Sequence, residues 1–214
     1  MKGIFVTFEG PDGSGKTSVL NSVVEMLNQT SKKNDYILTR EPGGNRISED
    51  IRGIVLDPRN TEMDEKTEAL LYAAARRQHL VDTILPALNE GKLVLCDRFV
   101  DSSLAYQGAG RHIGVYQVAK INEFATDGLQ PDLTFYFDIE PEVGLARIKN
   151  HRQDEVNRLD QESLQFYEDV RAQYLCLARE NPKRIIKIDA RKSLADVTAQ
   201  VLALLENKLA EFFK

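Results

Sequence analysis

Apolar positions along the chain fall into two alternating patterns. Short solid runs at 3–8, 35–39, 92–97, 132–138 and 184–188 predict buried strands. Spacings of three and four predict helices over 16–29, 46–56, 64–89, 102–107, 114–126, 141–149, 160–180 and 193–212. The last is the clearest, with Leu194, Val197, Val201, Leu205 and Leu209 on one stripe. Ser193 followed by Asp196 gives it a capping-box-like start. Short buried strands alternating with helices predict an α/β fold: a parallel five-stranded sheet covered on both faces. Ligands in such sheets sit beyond the carboxyl ends of the strands, so the loops after the first three strands are where chemistry is expected.

Composition narrows the picture. At 214 residues and 42% hydrophobic, the chain suits one sizeable domain with a packed core. A net charge of −5 argues against a nucleic-acid groove or an anionic membrane surface as partner for the whole surface. Cys96 and Cys176 lie in apolar surroundings far apart, as expected of reduced, buried thiols in a cytosolic protein. The first apolar run ends at Glu9 and reads as a strand, too short for a signal peptide, and no stretch approaches the ~20 apolar residues that span a bilayer. The expectation is a cytoplasmic globular protein without membrane or nucleic-acid partners.

The loop after the first strand reads Gly10-Pro11-Asp12-Gly13-Ser14-Gly15-Lys16-Thr17, a complete G-x-x-x-x-G-K-[ST] phosphate-binding pattern set between strand and helix. Its glycines let backbone N–H groups crowd around a polyphosphate, and the helix N-terminus adds partial positive charge. Lys16 is placed to reach the β- and γ-phosphates, and the Thr17 hydroxyl to join a Mg²⁺ shell. The third strand ends Leu95-Cys96-Asp97-Arg98, an apolar run closing on a carboxylate suited to the same metal shell. A hydrolase would want an acidic residue next to orient water; Arg98 stands there and suits a second anionic substrate.

Other segments leave two readings open. Arg40, in Thr39-Arg40-Glu41-Pro42-Gly43-Gly44, is either a phosphate clamp or a surface residue paired with Glu41. Tyr72, Arg76 and His79 share a helix face, which fits either a nucleobase platform or, the reading favoured on spacing alone, core packing for Tyr72 and solvent for Arg76; His79 reads as structural. The charge-dense stretch from Arg147 to Arg158 is either a solvated face or a lid carrying arginines over transferring phosphates.

Taken in order, Phe8 to Thr17, Thr39 to Gly44, Asp97-Arg98-Phe99 with Ser102-Ser103-Leu104-Ala105-Tyr106-Gln107-Gly108, and Asn157-Arg158-Leu159-Asp160 resemble thymidylate kinases of the bacterial type. The resemblance covers essentially the whole chain. It implies one P-loop kinase domain with a lid at about 147–160, transferring the γ-phosphoryl of ATP to dTMP with Mg²⁺, and a homodimer. It also implies roles: Gly10 to Thr17 hold ATP, with Thr17 and Asp97 at the metal; Asp12 takes the 3′-hydroxyl of dTMP; Arg40 and Arg98 grip its phosphate, supported by Asp97 and Glu41. Tyr72 then stacks on the base, Arg76 meets its carbonyl edge, Ser103 and Gln107 line it, and Tyr106 crowds out a ribose 2′-hydroxyl. None of Pro11, Asp12, Gly13 and Ser14 is basic, so the chain resembles members whose catalytic arginine comes from the lid. Arg147, Lys149, Arg152 and Arg158 are the candidates, with Arg152 favoured. The rivals are another P-loop nucleotide or deoxynucleoside kinase and a nucleotide-hydrolysing switch; the switch is disfavoured by Arg98 and by the lack of an N-K-x-D guanine signature.

Overall fold

The computed structural model describes residues 3–29, 35–151 and 158–212. Strands β1 (Ile4–Glu9), β2 (Tyr36–Arg40), β3 (Leu93–Asp97), β4 (Leu133–Asp138) and β5 (Ile185–Asp189) form one parallel sheet in the order β2-β3-β1-β4-β5. All five lie within a residue of the runs read from the sequence. Phe8 and Arg40 both register with Asp97, and Asp138 with Asp189, so the strands end along one edge. Two neighbours flank the central β1, and the phosphate-loop pattern leaves from its carboxyl end, at the reversal of strand order.

Both faces of β1 are dry. Ile4, Val6 and Phe8 pack with Val19, Leu20 and Val23 of α1 (Lys16–Asn28) and with Val197, Val201 and Leu205 of α9 (Leu194–Phe212). Phe5 faces the other way, onto Leu80, Ile84 and Leu88. Those residues lie where α3 (Glu65–His79) runs through a π-helical turn, Leu80–Ile84, into α4 (Leu85–Asn89). Spacing predicted one helix there; the wider turn precedes Pro86, whose missing N–H and ring a regular α-helix does not accommodate.

Other differences are local. The helix expected at 102–107 begins earlier, as α5 (Val100–Ser103), and continues as a π-helical stretch, Leu104–Gly110. The helix expected over 160–180 is divided into a 3₁₀ turn, Arg158–Gln161, and α8 (Leu164–Glu180), because the Ser163 side chain accepts from Phe166 N at 3.2 Å and caps a new start. The Ser193 cap is present: its hydroxyl accepts from Asp196 N at 3.2 Å. Cys96 is buried as expected, but Cys176 is only half-buried, since it falls beside the α8 stripe of Val170, Tyr174 and Leu177 that faces the core. The remaining helices are α2 (Arg46–Leu56), α6 (Val115–Thr126) and α7 (Pro141–His151). No helix among the described residues is long and apolar enough to cross a membrane.

Candidate active site

The loop that leaves β1 is built around close backbone approaches. Gly10 has φ +137°, and a Cβ there would stand 2.6 Å from the Phe137 carbonyl; at Gly13 (φ +75°) it would stand 2.3 Å from the Gly144 carbonyl at the start of α7. Only glycine fits either place. The loop is therefore clasped between β4 and α7, and Gly15 delivers it into α1. Arg147 adds a strut, donating to the Gly13 carbonyl at 3.3 Å and to the Ala190 carbonyl at 3.2 Å.

Two groups inside this loop point to a ligand. Ser14 Oγ is buried and has no partner among the described residues. Lys16 is buried too, donating from Nζ to the Pro11 carbonyl at 3.1 Å, and burial together with the nearby Arg98 charge lowers its pKa to about 8. A desolvated ammonium and a buried hydroxyl without a partner among the described residues, in one loop at a helix N-terminus, suit an anion. Asp97 Oδ2 accepts from the Thr17 hydroxyl at 3.4 Å, while its buried Oδ1 has no partner among the described residues. A hydroxyl and a carboxylate with an open oxygen suit Mg²⁺, which binds through one or two protein oxygens and takes the rest of its shell from water and phosphate. The described residues hold no cluster of three or more acidic, histidine or cysteine side chains for a metal, as that mode requires none.

Arg98 is fixed through both its backbone and its guanidinium. Its backbone is left-handed, φ +69°, unusual for a residue with a Cβ. Arg98 N donates to Phe8 O at 2.9 Å and the next amide, Phe99 N, to Glu9 Oε1 at 2.7 Å. Its guanidinium donates to Asp12 at 2.8 Å and Ser102 at 3.2 Å and lies over the Tyr106 ring, 5.1 Å from the centroid. Glu9 was not singled out from the sequence, yet it anchors this arrangement. It is fully buried and accepts from Ser102 Oγ at 2.5 Å and Tyr174 OH at 2.9 Å. Burial, reinforced by Asp101, pushes its pKa up to about 7.

Arg98, Lys16, Thr17 and Asp97 line a cleft of about 340 Å³ whose walls also carry Asp12, Arg40, Glu41, Tyr72, Arg76, Ser103, Tyr106 and Gln107. The residues expected at the acceptor are thus brought together. Arg76 is not in solvent: it is 2% exposed, with Nε on Glu41 at 2.6 Å, Nη2 on the Phe99 carbonyl at 2.9 Å, and Nη1 on Ser103 at 3.0 Å and on Asn122. Neither is Arg40 paired with Glu41. Arg40 reaches Glu49 on α2 at 2.9 Å and is half-exposed, whereas Glu41 turns inward to Arg76 and to His79 Nδ1 at 3.0 Å. Successive residues leaving a strand point to opposite sides, which separates the two charges. Glu41 thus supports Arg76 rather than Arg40 or Arg98, and His79, bonded also to Thr39, is structural.

The lid candidates divide. Arg147 is occupied by loop carbonyls, Lys149 is exposed, and Arg152 lies outside the described residues. Arg158 is buried, donating to the Val55 carbonyl at 3.1 Å and to Glu68. Sequence reasoning missed Arg52, Leu56 and Leu159, which also line the cleft, and the buried carboxylate Glu68. A helical Arg or Glu carries no local mark of facing inward; only its phase against the apolar stripe could have revealed it.

A family model described as thymidylate kinase matches residues 8–201. The chain is 64% identical to the thymidylate kinase of Ligilactobacillus salivarius (strain UCC118), over 97% of this chain and 99% of that protein. It is 58% identical to that of Latilactobacillus sakei subsp. sakei (strain 23K) over the full length of both. The crystal structure of thymidylate kinase from Ehrlichia chaffeensis superposes with a TM-score of 0.77 at 32% identity, covering 96% of this chain and 99% of that one.

Proposed function

The chain belongs to the thymidylate kinase family, ATP-dependent enzymes that phosphorylate dTMP, and on that premise we propose how its own residues carry out the transfer. The observation that carries the proposal is the single cleft in which an anion-ready loop faces an arginine-lined, aromatic-walled pocket. The loop amides, Ser14 and Lys16 hold the ATP phosphates. Thr17 and Asp97 hold Mg²⁺, which when bound neutralises charge developing on the phosphate oxygens. Tyr72 stacks on thymine, Arg76, Ser103 and Gln107 read its edge, Asp12 takes the 3′-hydroxyl, and Tyr106 closes the space a 2′-hydroxyl would need.

No general base is required. The dTMP phosphate is largely dianionic at neutral pH, its second pKa lying near 6, and attacks as it stands. What this chain must supply is in-line placement of two mutually repelling polyanions. Arg98, held between Asp12, Ser102 and Tyr106, stands between the loop and the base pocket and grips the acceptor phosphate, with Arg40 turning from Glu49 to assist. Lys16 steadies the moving phosphoryl group, joined by Arg152 as the lid arginine over 147–160. The exposed residues Leu70 and Ala74 of α3 and Val81 of the π-helical turn, together with the exposed Phe124 of α6, a helix that packs against α3, make the surface on which two copies pair as a homodimer.

The test is ADP release from ATP and Mg²⁺ with dTMP, dUMP, AMP, thymidine or no acceptor. Turnover that depends on dTMP is expected. Turnover indifferent to the acceptor would mean a hydrolase and would undo the assignment of Arg98.

A further inference from the structure

Glu68, one helical turn before Tyr72 on α3, is fully buried and has no part in the transfer described above. Its surroundings are cationic. Oε1 accepts from Gln107 Nε2 at 2.8 Å and from Arg111 Nε at 3.4 Å. Oε2 accepts from Arg158 Nη2, and Arg111 Nη2 stands 3.2 Å from it. Arg111 is in turn held by Glu162 at 2.6 Å and lies over the Phe166 ring. Burying an acidic side chain among guanidinium groups is costly to assemble, and a salt bridge is a weak reason to keep one where an apolar cluster would serve. The partner that explains the carboxylate is Gln107.

An amide side chain has two unlike ends and chooses between them by its neighbours. Guanidinium groups only donate, so both Glu68 oxygens are committed as acceptors. The end of Gln107 that faces Glu68 must then be its NH₂, and its carbonyl is the end left for the cleft, which Gln107 lines beside Tyr72 and Arg76. Arg76 complements it: of its five N–H groups, four are engaged among the described residues, by Glu41, Ser103, Asn122 and the Phe99 carbonyl, and the second N–H of Nη2 is the one left to donate. The cleft therefore presents a donor next to an acceptor. A pyrimidine with a ring carbonyl beside a ring N–H matches that order; one with an exocyclic amine beside a bare ring nitrogen opposes it at both positions.

We infer that Glu68 is the specificity-determining positioning residue of the acceptor site, selecting imide pyrimidines over cytosine by locking the Gln107 amide with its carbonyl toward the base. Through Arg158 the same carboxylate also fixes the next residue, Leu159, in the cleft wall. The inference rests on the reading of this cleft as the dTMP site.

The experiment compares kcat and KM for dTMP, dUMP and dCMP, at saturating ATP and Mg²⁺, in the wild-type chain, Glu68→Gln and Glu68→Asp. In Glu68→Gln the Gln107 amide can turn over. The expected result is a dTMP KM raised about tenfold with kcat within about threefold, and a dTMP-over-dCMP preference reduced at least about tenfold. The dTMP-to-dUMP ratio should stay within about threefold, since both bases are imides. Glu68→Asp keeps an obligate acceptor and should hold the wild-type dTMP-over-dCMP preference even where stability falls. A loss shared equally by all three acceptors, with unchanged ratios, would mean a purely structural carboxylate and overturn the inference. If Glu68→Gln does not fold, a crystal structure of the wild-type protein with dTMP decides. Gln107 within hydrogen-bond reach of both the thymine ring N–H and Glu68 supports it; a ring N–H bonded elsewhere overturns it. Failure of the wild-type chain to turn over dTMP at all would instead remove the underlying reading.

Discussion

A carboxyl group buried away from solvent carries its own pH signature, and Glu9 is a clear case. Its pKa is near 4.5 when exposed and about 7 when folded, chiefly through burial. Between those values the folded protein binds more protons than the unfolded one, so the Glu9 contribution is fully present below pH 4.5 and is lost as pH rises to about 7. The shift corresponds to about 3 kcal/mol at most. Urea midpoints measured from pH 5 to 8 should show wild type losing stability relative to Glu9→Gln as pH rises; parallel curves would rule out the raised pKa. Arg98 separates chemistry from backbone cost at one position. Arg98→Ala and Arg98→Gly should both lose about 10³-fold in turnover, as other phosphoryl-transfer arginines do. The glycine variant should be the more stable by about 1 kcal/mol, because φ +69° suits glycine and strains alanine. Equal stabilities would show that the left-handed backbone costs nothing here.

Elements were legible where a local pattern had a single physical meaning. The five strands were legible as solid apolar runs, and the loop at Gly10 to Thr17 as a G-x-x-x-x-G-K-[ST] pattern; what its spacing did not show is that Gly10 and Gly13 are also needed for close backbone packing. Gly13→Ala tests that packing at the scale of the loop. Its Cβ would meet the Gly144 carbonyl at 2.3 Å, so the loop must part from α7, and ATP affinity by calorimetry should fall at least about tenfold. Binding of dTMP, whose pocket is walled by α3 and the Leu104–Gly110 stretch, should change little; equal losses for both ligands would mean general damage. Less legible were features set by distant parts of the chain. The π-helical turn Leu80–Ile84 leaves no mark on apolar spacing, which continues through it, and the stretch Leu104–Gly110 runs past the 107 at which the helical pattern stops. The partners of Glu41 could not be read either: Arg76 and His79 lie 35 and 38 residues away, and sequence proximity suggested Arg40. Arg76 shows why a reading from spacing fails for buried charge. A guanidinium is sent to solvent by default, and only the assembled ring of Glu41, Ser103, Asn122 and the Phe99 carbonyl makes its burial affordable.

At the scale of the whole molecule, the helix layer over α3 has two unlike faces. Ala69, Tyr72, Ala73 and Arg76 look inward, onto the cleft and core, while Leu70, Ala74 and Val81 look outward. Arg77, on the outer side, donates to Asp127 at 2.5 Å and to the Ala125 carbonyl at 3.4 Å, tying the end of α6 to this stripe. Phe124, one turn before Asp127, is 88% exposed. Single exposed apolar residues are ordinary, but a helical apolar stripe and a bare phenyl ring on two helices that pack together are the kind of surface a partner covers. A two-fold arrangement would bring the same stripe from each copy together, so one substitution acts twice. Phe124→Glu and Leu70→Glu should each convert a two-chain particle into single chains in sedimentation velocity at micromolar concentration. Because α3 also carries Tyr72 and Arg76 into the cleft, dissociation should loosen the base pocket before the phosphate loop. The monomeric variants should therefore show a dTMP KM raised several-fold with the ATP KM little changed. A single-chain wild type would remove this interface, and a dimer that survives both substitutions would move it to another face.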